Sequence, residues 1–200
     1  MMADHAGEGF LIFRSGPGQF IDYASLALMK PGGDTGCFLP CSRLRWNGED
    51  GLIYFTRSCR PLPEKGKGQT RADFARILLK LWEAFEEFDL TEAVDPGRLV
   101  LRKDLIFEDN RSGRVKLLYL AWRSDVYGRD KNRIRRMVRE KQAQLGLELL
   151  REWFCPLPPL SLEGRIAGLL RQRPVPSGGL IYSRLQQLLD IEKRRVNTAN

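Results

Sequence analysis

The longest regular pattern of apolar positions runs over residues 74–88, where apolar side chains recur every three or four residues. This is the period of one face of an α-helix, so the pattern predicts a helix. The apolar stripe consists of Phe74, Ile77, Leu78, Leu81, Trp82, Phe85 and Phe88. Thr70 is a candidate N-cap, and Asp73 in the first turn favours the helix dipole. A face this wide must contact partners on more than one side, so we expect a buried central helix.

Shorter patterns in the first third of the chain indicate β-strands. Residues 10–13 are an apolar run that ends at a Ser-Gly-Pro-Gly turn, and residues 42–46 alternate as in a strand. Residues 47–51 begin with Asn-Gly and predict a hairpin turn, after which residues 52–56 return as the second strand. The spacing of apolar side chains over 23–29 favours a short helix in the same region.

A second hairpin and three further helices are predicted in the rest of the chain. Apolar runs at 105–109 and 114–119 flank a turn at 110–113. One face of this hairpin is expected to cover part of the long helix, through Leu105, Phe107, Val115 and Leu117. Helical spacing then predicts three helices, over 130–153, 162–172 and 180–193.

These elements predict an α+β protein with a small β-rich N-terminal lobe and a mainly helical C-terminal lobe. The predicted β-rich lobe covers residues 1–62. Residues 61–69, which are rich in proline, glycine and charged side chains, form a linker. The predicted helical lobe covers 70–155 and contains the hairpin 105–119, and residues 156–200 form a C-terminal helical extension.

The composition is that of a folded protein. A hydrophobic content of 42% with 10% aromatic residues excludes a disordered chain. No apolar run approaches the roughly 18 residues that a membrane span needs, and no secretory signal is evident, so we expect a cytoplasmic protein. The four cysteines are expected to be reduced. His5 is the single histidine, which leaves little scope for Ser-His or Cys-His chemistry.

The net charge of +8 is unevenly distributed. Residues 1–60 carry 6 basic and 6 acidic side chains and residues 61–122 carry 11 of each, so the whole excess lies in residues 123–200. Basic side chains crowd the first three turns of the predicted helix 130–153, where positive charge opposes the helix dipole. These side chains are therefore candidates for binding a partner or an anion: Lys131, Arg133, Arg135, Arg136 and Arg139.

The basic helix leaves two hypotheses for the partner. The first is a protein, and the alternative is a nucleic acid, because arginine pairs well with phosphate. The basic end of the helix has no aromatic platform for base stacking, and no helix-turn-helix, zinc-finger or RNA-binding signature is present. We therefore expect a protein partner, with nucleic-acid binding by the helix 130–141 as the alternative.

The order of elements around the second hairpin is similar to that of a protein-kinase catalytic segment. In kinases a long helix is followed by a His-Arg-Asp loop, a strand pair and an Asp-Phe-Gly motif. Here Arg98 and Leu99 occupy the last two positions of the first motif, and Tyr119 the first position of the second. A catalytic base and a magnesium ligand both require a carboxylate, which Leu99 and Tyr119 lack. Asp104 occupies the position of the second magnesium ligand, but one carboxylate holds a metal poorly. We expect no enzymatic activity, no metal and no cofactor.

Four segments carry a wider resemblance: 39–43, 52–56 followed by Leu62, 77–88 and 101–119. They resemble an uncharacterised kinase-like domain found N-terminal to forkhead-associated modules in Gram-positive bacteria. More distantly, they are similar to the cytoplasmic pseudokinase of the type VII secretion system. The resemblance implies a degenerate kinase-like fold that binds proteins in bacterial signalling or secretion assembly. No forkhead-associated module follows in this sequence, so we do not expect the chain itself to bind phosphopeptides.

Overall fold

The computed structural model of the chain describes residues 5–63, 65, 68–124 and 130–199. Within them, several helices combine with small antiparallel sheets, which confirms the predicted α+β class.

The chain forms two compact units, and each unit is built from two separate segments. Unit 1 consists of Met1–Leu62 and Glu87–Arg135, and unit 2 of Pro63–Glu86 and Arg136–Asn200. These units group the chain differently from the predicted domains, whose boundaries remain a prediction.

Within the described residues, the strands and helices have the following bounds. The strands are β1 His5–Gly7, β2 Phe10–Arg14, β3 Gln19–Ile21, β4 Cys41–Trp46, β5 Glu49–Phe55, β6 Cys59–Pro61, β7 Leu99–Val100, β8 Ile106–Asp109, β9 Val115–Tyr119 and β10 Trp122–Ser124. The α-helices are α1 Tyr23–Ala27, α2 Arg71–Leu90, α3 Lys131–Phe154, α4 Leu162–Arg171 and α5 Gly178–Ala199. Short 3-10 helices cover Pro96–Arg98 and Lys103–Leu105.

The first hairpin of unit 1 belongs to a four-stranded antiparallel sheet with the strand order β1-β2-β5-β4. Its turn contains only Asn47 and Gly48, with φ angles of 52° and 83°. Both residues lie in the left-handed region, as in the tight turns that match the twist of two paired strands. The predicted turn over 47–51 was too long, because pairing resumes at Glu49.

The second hairpin forms as predicted, but its expected apolar face is wrong. The loop between β8 and β9 sets a register in which Ile106 lies opposite Leu117 and Phe107 lies opposite Lys116. Since cross-strand partners share a face, Leu117 and Phe107 point to opposite sides of the sheet. Strand β9 also forms a parallel bridge in which the N–H of Leu117 donates to the carbonyl of Cys37 at 2.7 Å.

The buried core of unit 2 is centred on α2. Thr70 caps this helix reciprocally: its hydroxyl accepts from the N–H of Asp73 at 3.2 Å, and its N–H donates to the Asp73 carboxylate at 3.0 Å. Phe74 stacks on Trp153 with 4.8 Å between ring centroids. Trp82 is 3% exposed and packs edge-on against Phe85 at 5.7 Å, which confirms its predicted burial.

Candidate functional site

Two of the predicted kinase-motif positions lie opposite each other in unit 1. Strand β7 pairs with β9 so that Leu99 faces Tyr119, and the N–H of Leu120 donates to the carbonyl of Arg98 at 3.1 Å. The structure therefore brings Arg98, Leu99 and Tyr119 together although they are distant in sequence.

The side chain of Tyr119 is buried within a network of hydrogen bonds. Its hydroxyl oxygen accepts from the N–H of Asp95 at 2.9 Å and lies 3.3 Å from the Ser25 hydroxyl. Because Ser25 donates to Asp22 at 2.6 Å, the Tyr119 hydroxyl is the donor to Ser25. Tyr54 donates to the backbone carbonyl of Tyr119 at 2.6 Å. Burial raises the pKa of Tyr119, so this phenol stays neutral at physiological pH. Tyr119, at the position of the kinase magnesium ligand, is therefore a structural side chain.

Asp104 takes no part in that network. Its side chain is exposed, and it forms an ion pair with Arg102 at 2.5 Å. Arg98 is half-buried, with its Nε atom 3.7 Å from the Asp95 carboxylate. Among the described residues, no group of three or more His, Cys, Asp and Glu side chains is arranged to hold a metal ion.

A buried polar cluster beside β9 was missed by the sequence analysis. Lys116 is 7% exposed, and its ammonium donates to the Thr35 hydroxyl at 3.1 Å and to the Gly36 carbonyl. Glu87 accepts from the Cys37 N–H at 3.0 Å through one carboxylate oxygen. Its second oxygen accepts from Arg114 at 2.6 Å. The sequence signal was a lysine within an otherwise apolar strand, whose partners lie about 80 residues away.

The predicted basic residues lie at the beginning of α3. The carboxylate of Asp130 accepts from the N–H groups of Asn132 and Arg133 at 3.0 and 3.1 Å, which caps the helix despite the positive charge that follows. Four of the predicted side chains are exposed and have no ion-pair partner among the described residues. We call this set the basic segment: Lys131, Arg133, Arg135 and Arg136.

The fifth predicted residue, Arg139, differs from the other four. It is only partly exposed and lies 3.6 Å from the carboxylate of Glu86. Met137 is 49% exposed on the same helix. Arginine and methionine are both enriched where proteins contact each other, and methionine offers no platform for base stacking.

The comparisons with known proteins identify one fold. No family model matches the sequence, and no curated protein is similar to it. Among solved structures, the chain is similar to the EssB cytoplasmic fragment of Geobacillus thermodenitrificans, with a TM-score of 0.52 and 14% identity. The match covers 95% of this chain and 88% of that chain.

At this identity the likeness shows the fold alone. It supports the predicted resemblance to the secretion pseudokinase at the level of fold, whereas the relation to domains beside forkhead-associated modules stays a prediction. In the part of the chain that the structure describes, no helix is long and apolar enough to cross a membrane.

Proposed function

We propose that this chain is a non-catalytic, pseudokinase-like module that binds protein partners during assembly of a bacterial secretion complex. The observation that carries the proposal is the likeness to the EssB cytoplasmic fragment, which extends over 95% of the chain. The sequence resemblance to the cytoplasmic pseudokinase of the type VII secretion system points the same way, and a module with this fold is suited to a role in such an assembly.

The residues at the kinase-motif positions support a role without phosphoryl transfer. Transfer of phosphate requires a carboxylate to accept the substrate proton and another to hold magnesium. Leu99 and Tyr119 occupy those positions, and the Tyr119 hydroxyl is already hydrogen-bonded to Ser25 and Asp95. The two-lobed kinase-like architecture is part of this proposal.

A phosphate-transfer assay tests the catalytic part of the proposal. Purified full-length chain is incubated with radiolabelled ATP, magnesium and generic protein substrates, and we expect no incorporation above a heat-denatured control. The matched variant is Asp104→Ala, which changes the remaining carboxylate at a kinase-motif position. Robust turnover that Asp104→Ala abolishes would contradict the proposal.

The basic segment is the proposed contact for an acidic protein surface. Its four cations are exposed and have no ion-pair partner among the described residues, so no described ion pair has to break when they bind a partner. In a charge-reversal variant, Lys131, Arg133, Arg135 and Arg136 are all replaced by glutamate. The matched control reverses four other exposed cations without a described ion pair: Arg165, Arg171, Lys193 and Arg194.

The binding experiment uses tagged full-length chain in its own host cells, chemical crosslinking and quantitative mass spectrometry. We expect identified secretion-complex components to be enriched with the wild type and the control variant, and to be reduced at least fivefold with the basic-segment variant. Equal enrichment with both variants would remove the basic segment from the interface. No enrichment of secretion components in any sample would overturn the proposed function.

The nucleic-acid alternative receives no support from the comparisons. A gel shift with the wild-type chain across a salt series separates the two classes of partner, because phosphate contacts weaken steeply as salt rises. Salt-sensitive retardation of DNA or RNA that is lost in the basic-segment variant would favour the alternative.

A further inference from the structure

Strand β4 forms one edge of the four-stranded sheet in unit 1, and beyond Cys41 its outward backbone groups have no partner among the described residues. The carbonyl of Pro40 accepts from the N–H of Phe55 at 2.9 Å, whereas the N–H of Cys41 points the other way, to the carbonyl of Met29 at 2.7 Å. Successive residues of a strand direct their backbone groups to opposite sides. Arg43 and Arg45 therefore present their N–H and C=O groups outward, and no described residue pairs with these groups.

An open groove of about 250 Å³ lies beside this edge. Helix α1 forms one wall, and the beginning of β4 forms the other. The lining residues from the two walls and the loop after α1 include Tyr23, Leu26, Ala27, Lys30, Cys41 and Arg43. Tyr23 is 59% exposed, so an aromatic side chain is available for contact next to the free strand edge.

The two faces of β4 differ in chemistry. Side chains alternate along a strand, so Arg43 and Arg45 share one face, and Leu44 and Trp46 share the other. Leu44 is half-buried and Trp46 is 51% exposed. A strand added beside β4 would thus meet Arg43 and Arg45 on one side of the sheet. On the other side it would meet Leu44 and Trp46, whose ring lies 5.9 Å from the guanidinium carbon of Arg14.

The charges beside the edge are positive. Lys30 and Arg45 are exposed and have no ion-pair partner among the described residues. Arg43 forms an ion pair with Asp50 at 2.7 Å and lies 5.9 Å from the centre of the Tyr23 ring. Two copies of this chain paired edge to edge would bring like charges together, which is unfavourable. A nucleic acid lacks the alternating N–H and C=O groups that a strand edge complements.

We propose that β4 is a docking edge for an extended segment of a partner protein in which acidic residues alternate with apolar ones. The segment adds a strand to the sheet, with its backbone bonded to Arg43 and Arg45. Its acidic side chains face Lys30 and the two arginines, and its apolar side chains cover Leu44 and Trp46. This inference rests on the proposed protein-binding function and names a second contact surface and the chemistry of its ligand.

The probe is a fluorescent ten-residue peptide in which glutamate and valine alternate. One control peptide has the same composition with the five glutamates and five valines in separate blocks, and another replaces every glutamate with lysine. Fluorescence anisotropy measures affinity for the full chain, and hydrogen exchange measures the Arg43 and Arg45 amides. We expect the alternating acidic peptide to bind at least tenfold more tightly than either control and to protect both amides.

Two variants probe the two parts of the interaction. Arg45→Pro removes an outward N–H without removing a hydrogen bond to β5, so the sheet should persist while affinity falls at least tenfold. Lys30→Glu combined with Arg45→Glu keeps the backbone donors and the Arg43–Asp50 ion pair, and should reverse the preference towards the lysine peptide. Thermal denaturation verifies that each variant is folded. If Arg45→Pro does not fold, the charge-reversal variant still decides the outcome.

Equal binding of the alternating and block peptides would overturn the docking edge, as would affinity that neither variant changes. A dimer that forms with rising concentration and is lost in Arg45→Pro would assign the edge to self-association instead. Failure of the peptide experiment alongside enrichment of secretion components in cells would refute the docking edge and leave the proposed function in place.

Discussion

Two long helices begin with basic side chains, but these residues have different surroundings. At the start of α2, Arg71 forms ion pairs with Glu163 and with Glu192, the latter at 3.3 Å. Its guanidinium also lies 4.8 Å from the centre of the Phe154 ring. At the start of α3, the four cations of the basic segment are exposed and have no ion-pair partner among the described residues.

The difference separates positive charge that holds unit 2 together from positive charge that is available to a ligand. Glu163 and Glu192 are 8% and 2% exposed. Without Arg71, Glu163 would lose its described ion-pair partner, whereas Glu192 would keep Arg195 at 2.6 Å. Among the described residues, no buried carboxylate loses a partner when a cation of the basic segment is removed. Residues of the same type at the beginning of a helix therefore differ in function according to the partners that the fold supplies.

The largest expected effect comes from the apolar core of unit 2. Trp82→Ala removes a side chain that is 3% exposed and leaves a cavity beside Phe85. We expect the free energy of unfolding in urea to fall by about 3–5 kcal/mol. A loss smaller than that caused by Arg71→Leu would mean that ion pairs contribute more than apolar packing to the stability of unit 2.

Arg71→Leu directly tests the contribution of the ion-paired arginine at the start of α2. Removing one partner of a fully buried ion pair costs about 3–5 kcal/mol, and we expect about 2 kcal/mol here because the Arg71 side chain is 43% exposed. The matched control is Arg76→Leu on the same helix, where the arginine is also 43% exposed but pairs with Asp73 at the surface. The control should change the free energy of unfolding by less than about 0.5 kcal/mol. Equal losses in the two variants would remove the special role of Arg71.

Lys116→Met extends the comparison to a buried cation in unit 1. The variant leaves the Gly36 carbonyl without its ammonium donor, and we expect a loss of about 1 kcal/mol. Burial raises the pKa of the neighbouring Cys37 thiol to about 12, so the native thiol reacts slowly with iodoacetamide at pH 8. Opening of this loop in the variant should increase the labelling rate of Cys37 several-fold, while exposed Cys155 reacts at an unchanged rate. Unchanged Cys37 labelling would show that Lys116 does not hold the loop.

The smallest expected effect on stability concerns the basic segment at the start of α3. Arg136→Ala removes an exposed cation and should change the free energy of unfolding by less than about 0.5 kcal/mol. Calorimetry of the single variant beside wild type provides the measurement. A loss above about 1 kcal/mol would show that Arg136 belongs to the structural charges, and the distinction between the two helix starts would fail.

Local sequence signals were sufficient where the determining residues lie close together. Thr70 caps α2 as predicted, and the helical period of the stripe was enough to predict that Trp82 is buried. Asp73 was predicted only to favour the helix dipole, and in the structure it also accepts from the Thr70 N–H. Asn47 and Gly48 form the first hairpin turn for the same reason, since the backbone preferences of two adjacent residues select it.

Long-range partners could not be predicted from one sequence. Arg71 pairs with a glutamate 92 positions away, and Lys116 bonds to Thr35, 81 positions away. Periodicity predicts on which face of a helix or strand a residue lies, but it does not predict which other element packs against that face. The five predicted basic residues looked equivalent for this reason, although Arg139 lies beside Glu86 and the other four have no described ion pair. The exposed edge at β4 was equally hidden, because a hairpin pattern does not show on which side a third strand will add.

The interleaving of the two units also constrains the order in which a nascent chain can fold. Strand β6, at Cys59–Pro61, pairs with β8, and the backbone of Cys37 bonds to Leu117 of β9. The sheet formed by β1, β2, β5 and β4 lies within the first 55 residues, but β6 and Cys37 meet these partners only after more than a hundred residues have left the ribosome. Until β8 and β9 are synthesised, β6 and Cys37 lack these partners, and unpaired strand edges favour aggregation. A chaperone or a slow-elongating stretch of message would act most usefully between residue 62 and the end of β9.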